Sequence, residues 1–454
     1  MERNVCAPGG QALWRARWLT VLALALVMLL DLLTYERGHA IMQGYMAALV
    51  FGMLGICLLR GDYRADRVYW VGLAFAAWYA LTRVLNGDHY LQYDYNQYRV
   101  VSLLATYGLA FPFAAMQDDA CKRRALDRIA AVLTLALSAV SWLGVAAAFR
   151  GEVITVPFFN SQFGIMSDGR LHVLSQHPNF TAAVCICGMM MLIYLLAAHW
   201  RPWRLIPAAI VGAGFFIALP LSDSRTGMVA FMLGLVIAAI VGFQRLPLPA
   251  RWRRVIEVVC LVAIVAVVAV AGFGAAVRMV TSATDGEQAI SQRSLLSFGT
   301  FLSRTRAYAA VPGTFAQHPL ALFKGFDELE MMAEVNRNTD VAFLYSHMHN
   351  AYLQTLMLTG VPGLLMALWL SWRIISSAFR VLFARDSGIA PAQKLLISLP
   401  AALFLQAMLE HYLFVDNYSI LNFLFFLFSG YLVQLVRGVT WKQVFPFLAR
   451  RKKA

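Results

Sequence analysis

Apolar runs of roughly 17 to 24 residues recur along the whole chain, parted by short polar stretches. As a helix, each is about long enough to cross ~30 Å of hydrocarbon. The runs are Trp18–Tyr35, His39–Leu59, Val68–Leu85, Val100–Met116, Ile129–Phe149, Phe180–Ala198, Leu205–Leu221, Met228–Phe243, Val255–Val277, Tyr352–Ile375, Leu395–Leu413 and Ser419–Val436. Helices satisfy their own backbone groups in lipid, so such a chain needs no soluble core. The pattern predicts an all-α membrane protein of about twelve transmembrane helices, with residues 1–454 forming one polytopic domain. No 20- to 50-residue repeat interrupts it.

The connections differ in length. Two spans are joined by only Leu221-Ser222-Asp223-Ser224-Arg225-Thr226-Gly227, whereas residues 86–99, 150–179 and above all 278–350 are long enough to carry a site. The 278–350 segment keeps apolar periodicity in Leu295–Phe301 and Tyr308–Phe315, with Pro312 and Pro319 as expected breaks. It is expected to form a subdomain of helices lying on or dipping into the interface.

Composition sharpens this reading: 60% of residues are hydrophobic, 14% are charged, and the mean hydropathy is +0.64. The formal charge of +14 invites a nucleic-acid reading, but its distribution argues for topology. Alternate threading gathers 26 of the 38 Lys and Arg on the side of the amino terminus, including Cys121-Lys122-Arg123-Arg124 and the basic tail at 440–454. By the positive-inside rule that side is cytoplasmic. The expectation is an inner-membrane protein with both termini in the cytoplasm, membrane lipids as its surroundings and no nucleic-acid partner. Cys6 and Cys121 fall on the cytoplasmic side and the other four cysteines within spans, so no disulfide framework is expected.

Charges are scarce inside the runs: Asp31 and Glu257 lie near span ends, and Glu410 with His411 lies close to the external surface. This weakens a proton-coupled transporter reading. Candidate chemistry sits on the external side. In Ser222-Asp223-Ser224-Arg225-Thr226-Gly227, Ser224 or Thr226 can cap the next helix, and a helix amino terminus with a guanidinium is an anion site. In Ser303-Arg304-Thr305-Arg306-Ala307-Tyr308, two arginines can neutralise a second phosphate; His318-Pro319-Leu320 and Lys324-Gly325-Phe326 follow. In Ser346-His347-Met348-His349-Asn350, His349 is placed as a general base for a sugar hydroxyl, and Asn350 to orient it or the acceptor. No external Cys or third clustered ligand supports a zinc pair at His347 and His349. Arg170 and His177, on 150–179, are placed along a donor path.

At these residues the chain resembles the bacterial O-antigen ligase family, within the larger group of O-antigen ligases and polymerases. The ligase pattern His-[Asn/Ser/Gln]-x9-Gly-x-x-[Gly/Thr/Tyr] is matched by His349-Asn350 and Gly360-Val361-Pro362-Gly363. The group's Ser-x-Ser-Arg-x-Gly turn is matched by Ser222, Ser224, Arg225 and Gly227. Its Arg-x3-aromatic, Pro-Leu and Gly-aromatic elements are similar to Arg304, Tyr308, Pro319-Leu320 and Gly325-Phe326, with Tyr308 where the group more often has Trp. The likeness spans 176 to 363, beginning at His177-Pro178-Asn179.

The resemblance implies a metal-independent, inverting glycosyltransferase of the membrane-embedded type-C class, without cofactor. Its donor would be an undecaprenyl-diphosphate-linked O-antigen polysaccharide and its acceptor a terminal sugar of lipid A–core oligosaccharide, on the periplasmic face. His349, Arg225 and Arg304 are then the catalytic candidates, with Arg304 favoured over Arg306 on spacing. Arg306, Ser222, Ser224, Asn350, His177, Arg170 and Lys324 are the substrate-binding candidates. An O-antigen polymerase, a protein O-oligosaccharyltransferase and a flippase for lipid-linked sugars stay open as alternatives.

Overall fold

In the computed structural model the described residues are 8–34, 39–60, 63, 66–86, 94–116, 119–156, 161–167, 169–174, 177–244, 255, 259, 299–338, 347–384, 388–415 and 419–444. Nearly all of the expected ninth span, residues 278–298 and 339–346 of the long segment, and the tail beyond 444 lie outside them. The helices are α1 (Pro8–Thr34), α2 (His39–Arg60), α3 (Arg67–Leu85), α4 (Asp94–Leu103), α5 (Asp119–Arg150), α6 (Pro178–Ala198), α7 (Leu205–Leu221) and α8 (Arg225–Phe243). The series continues with α9 (Gly299–Gln317), α10 (Ala321–Lys324), α11 (Glu328–Arg337), α12 (Ala351–Phe383), α13 (Ser398–Ala407) and α14 (Ser419–Leu435). Six described helices are long and apolar enough to cross a membrane: α3, α5, α6, α7, α8 and α12. The chain is a mostly helical, multi-pass membrane protein.

Several expected elements differ in detail. The 150–179 segment is not helical: β1 (Ile154–Val156), β2 (Ser161–Ile165) and β3 (Leu171–His172) form a small antiparallel sheet in the order β1-β2-β3. Ile154 pairs with Phe163 and Gly164 with His172. The all-α expectation missed it because strands this short carry too few residues for a period-2 signal. The run Val100–Met116 is not one α-helix, since α4 passes into a π-helical stretch over Leu104–Ala110. The run Leu395–Leu413 ends as helix at Ala407. Pro312 lies inside α9 and does not break it.

The core gathers around α6, which is apolar on every side and buried at most positions. It packs on α5, α7, α8 and α13, while α3, α12 and α14 form a second group. The two ends of α3 are fixed by charge and backbone. Asp66 accepts from Val68 N at 3.0 Å as a helix cap, and also pairs with Arg373 of α12 at 3.1 Å.

One break organises the second group. Gly360, at φ 67° and ψ −172°, interrupts α12. A helix broken inside a bundle leaves carbonyls without partners, and each must find a new donor. Phe326 N donates to Met357 O at 2.7 Å, Arg83 Nη2 to Leu358 O, and Trp78 Nε1 to Thr359 O at 2.8 Å. Arg83 Nη2 also reaches Phe326 O at 2.8 Å. Gly325, at φ 70°, crosses so close that a Cβ there would overlap Leu358; one on Gly360 would overlap the Phe323 carbonyl. The short helix α10 is thereby seated in the break. The glycines of the sequence motif are the points where two backbones touch.

Arg83→Leu orphans two buried carbonyls, and Gly360→Ala forces a left-handed alanine against Phe323. Each is expected to cost ~1–3 kcal/mol, read as a lowered melting temperature of the detergent-purified protein. An unchanged melting temperature for both would show that the α10–α12 junction contributes nothing.

Candidate functional site

Three helices start at the same end of the bundle, and each start is capped by its own sequence. His177 precedes Pro178 and takes Asn179 N on its Nδ1 at 3.2 Å, opening α6. Ser224, in extended conformation, takes Gly227 N on its Oγ at 3.2 Å, opening α8 at Arg225. Asn350 accepts from Tyr352 N at 3.0 Å and Leu353 N at 3.1 Å, opening α12. Gly227 lets α8 press against α6, since a Cβ there would overlap Ala182. Two residues before caps hold positive φ, Asp223 at 46° and His349 at 48°. Asp and His are among the residues that tolerate this region, and such strain gathers at functional sites.

A chain of side chains ties these starts together. Ser224 Oγ donates to Asn179 Oδ1 at 2.8 Å, Asn179 Nδ2 donates to Glu410 Oε1 at 2.6 Å, and Glu410 Oε2 lies 3.4 Å from His349 Nδ1. Gln406 Nε2, from α13, donates to Asn179 O at 2.8 Å. Ser224, Asn179 and Glu410 are 0%, 5% and 1% exposed. A buried carboxylate is tolerable because both its oxygens have partners. Arg170 clasps the same turn, its Nε on Ser222 O at 3.0 Å and its Nη2 on Asp223 O at 3.1 Å.

Around His349 the rings stack. His347 lies edge-on to it with centroids 3.9 Å apart, and His347 stacks on His411 at 3.7 Å. From α9, Tyr308 donates its hydroxyl to His349 O at 2.9 Å. His177 is exposed on one side, yet partial loss of water around the ring pushes its pKa down to about 4. Arg170, His349 and His172 add to the drop, and Glu410 opposes it.

The expected site residues sort as follows. Arg225 and His349 stand at two linked helix starts, and Arg170 and His177 border them. Ser222 and Ser224 do not offer their hydroxyls to a ligand: Ser222 Oγ donates to Leu219 O at 2.6 Å, and Ser224 is spent on Asn179 and Gly227. Asn350 does not orient His349; its oxygen caps α12 and its Nδ2 donates to Met408 O at 2.9 Å. Lys324 sits in the α10 junction, with Nζ 3.4 Å from Leu85 O. Arg304 and Arg306 lie on α9, but their side chains are outside the described residues.

Glu410 is the group that sequence reasoning left without a role. Its side chain and that of His411 are buried. Its only signal was a carboxylate in an apolar stretch, where ionisable residues are functional by default.

Three amino-terminal helix ends with arginines nearby favour a dispersed negative charge, and diphosphate is such a ligand. Residues 209–368, which hold Arg225, the α9–α10 segment and His349, match the model of the family described as O-antigen ligase. That segment of the chain is therefore similar to the O-antigen ligase family. No curated protein matches the chain. The match runs from within α7 to the middle of α12, while Asn179 and Glu410 lie outside it on either side. The matched segment therefore borrows the carboxylate and amide that bind its arginine turn to its histidine.

Folding lowers the pKa of His177 from the ordinary imidazole value near 6.5 towards about 4. The unfolded chain then takes up the extra proton, so stability is intact above ~6.5 and is lost as pH falls towards about 4. His177→Gln is expected to flatten the fall in melting temperature over that window. Parallel curves for the two proteins would refute the assignment.

Proposed function

We propose that this protein transfers O-antigen polysaccharide from undecaprenyl diphosphate to a terminal sugar of lipid A–core, on the periplasmic side of the inner membrane. The observation that carries the reading is the Ser224–Asn179–Glu410–His349 chain, which binds an arginine-bearing helix start to an imidazole. Both substrates are lipid-linked, and the site lies where capped helices end. The same end has few lysines and arginines in the threading of the sequence, which supports the periplasmic assignment.

The roles follow from the atoms. Glu410 takes the Nδ1–H of His349, which leaves Nε2 with its lone pair for the acceptor hydroxyl. The hydroxyl oxygen attacks the anomeric carbon from the face opposite the diphosphate, its proton passes to Nε2, and the carbon–oxygen bond to the phosphate breaks with inversion. Undecaprenyl diphosphate leaves as an anion. Arg225, with the α8 amino terminus, stabilises the charge that grows on it, joined by Arg304 from α9. Arg170 and His177 line the approach of the donor. This division of labour calls for no metal ion.

The test uses purified protein with a lipid-linked glycan and purified lipid A–core, and product is read by gel shift. Arg225→Ala and His349→Ala are each expected to lower transfer by ~10²-fold or more. Glu410→Gln keeps the shape but not the charge and should lower kcat by at least about tenfold. Excess chelator should leave transfer intact. Near-normal transfer by either alanine variant would remove its assigned role. Product formed only on a second lipid-linked glycan would overturn the acceptor.

A further inference from the structure

A cavity of about 610 Å³ opens between α5, α6 and α7 at the opposite end of the bundle from His349. Its lining begins 13 residues along α6 from Asn179 and ends 20 residues away, about 20–30 Å by helical rise, so it is not part of the transfer site. Its wall is almost wholly apolar, built on α5 from Leu135, on α6 from Leu192 and Leu195, and on α7 from Val211. Its polar groups are gathered in the same lining: Arg124 and Arg128 of α5, Arg204 just before α7, and His199.

Asp127 is the one carboxylate in that lining, and it is engaged: Tyr194 donates to one oxygen and His199 lies 2.9 Å from the other. Three guanidiniums thus stand against one occupied acid. Two are held in place by aromatic rings, Arg128 over Trp18 at 5.4 Å and Arg204 over Trp203 at 5.2 Å. Trp200 and Trp203 are exposed here, as indoles are at headgroup depth.

A second observation comes from inside the cavity. Thr134 lines it, is 2% exposed, and its hydroxyl has no hydrogen-bond partner. The usual escape for a helical threonine is its own i−4 carbonyl, taken here by Thr20, Thr314, Thr355 and Thr359. Thr134 does not take it. Its proton calls for an acceptor from outside the protein, such as the ester carbonyl at the root of an acyl chain.

We propose that this cavity is a binding site for an anionic phospholipid, with the phosphate among Arg124, Arg128 and Arg204, an acyl chain against the leucines and a glycerol ester on Thr134. Basic pockets between membrane helices on the Lys- and Arg-rich side suit such headgroups. A zwitterionic lipid gains less, because its own cation meets the arginines.

The test is native mass spectrometry of the full-length protein in detergent, titrated with phosphatidylglycerol, phosphatidylcholine or inorganic phosphate. One retained phosphatidylglycerol is expected, with little phosphatidylcholine. An arginine beside an anionic headgroup contributes roughly fivefold in affinity, so Arg124→Gln with Arg204→Gln should weaken retention roughly thirtyfold. Thr134→Val, which keeps shape and removes the hydroxyl, should weaken it several-fold and leave glycan transfer unchanged. Equal retention of phosphatidylcholine, undiminished binding by the double variant, or thermal stabilisation by inorganic phosphate alone would each overturn the proposal.

Discussion

In hydrocarbon a helix spends all its backbone groups on itself, so only its ends have N–H groups left for a ligand. That constraint decides where this protein can hold an anion. Three helix amino ends must meet, and they must be kept from satisfying one another too completely. Asn179 is the piece that does this. Its amide takes Ser224 on one side and gives to Glu410 on the other, while its own carbonyl holds Gln406. It thereby links the start of α8, which carries Arg225, to the segment before α12, which carries His349.

The Gly360 break belongs to the same logic. A continuous α12 would close its ladder and present nothing to the external segment. Once broken, it offers three carbonyls, and Phe326, Arg83 and Trp78 answer them. The segment carrying α9 and α10 is therefore docked onto the same helix that begins beside His349. Arg83 is a charge buried at 2% exposure for the sake of two carbonyls, costly alone and stabilising only as part of this junction. Its counterpart at the other end of α3 is the Asp66–Arg373 pair, so α3 is pinned to α12 at both ends.

Much of this was legible in the sequence. Apolar runs of membrane length gave most helices within a few residues, because hydropathy is a local property of each run. A cap from Ser224 or Thr226 was legible too, and Ser224 is the one that serves the next helix. What was not legible depends on distance along the chain. Glu410 meets Asn179 across 231 positions, and no local pattern encodes that pairing. The cap that Asn350 gives its own helix was not foreseen, because such a side chain has competing uses that local sequence does not rank. Gly360 read as an ordinary motif glycine, because glycine within a membrane helix need not break it.

Tyr308 bears on the choice between the two candidate arginines of α9. Its hydroxyl rests on the His349 carbonyl, so the face of α9 that carries it is the face turned to the site. Residue 304 lies one turn earlier on that face, whereas residue 306 is rotated by about 200° from 308 at 3.6 residues per turn. Helical period thus groups position 304, rather than 306, with Tyr308, which favours the proposal of Arg304 as the second guanidinium by a different argument from motif spacing. It also accounts for the one departure from the family pattern. Tryptophan and tyrosine both set a hydrogen-bond donor at the far rim of a large ring. Either can reach the carbonyl of a histidine held in left-handed conformation, where a phenylalanine could not.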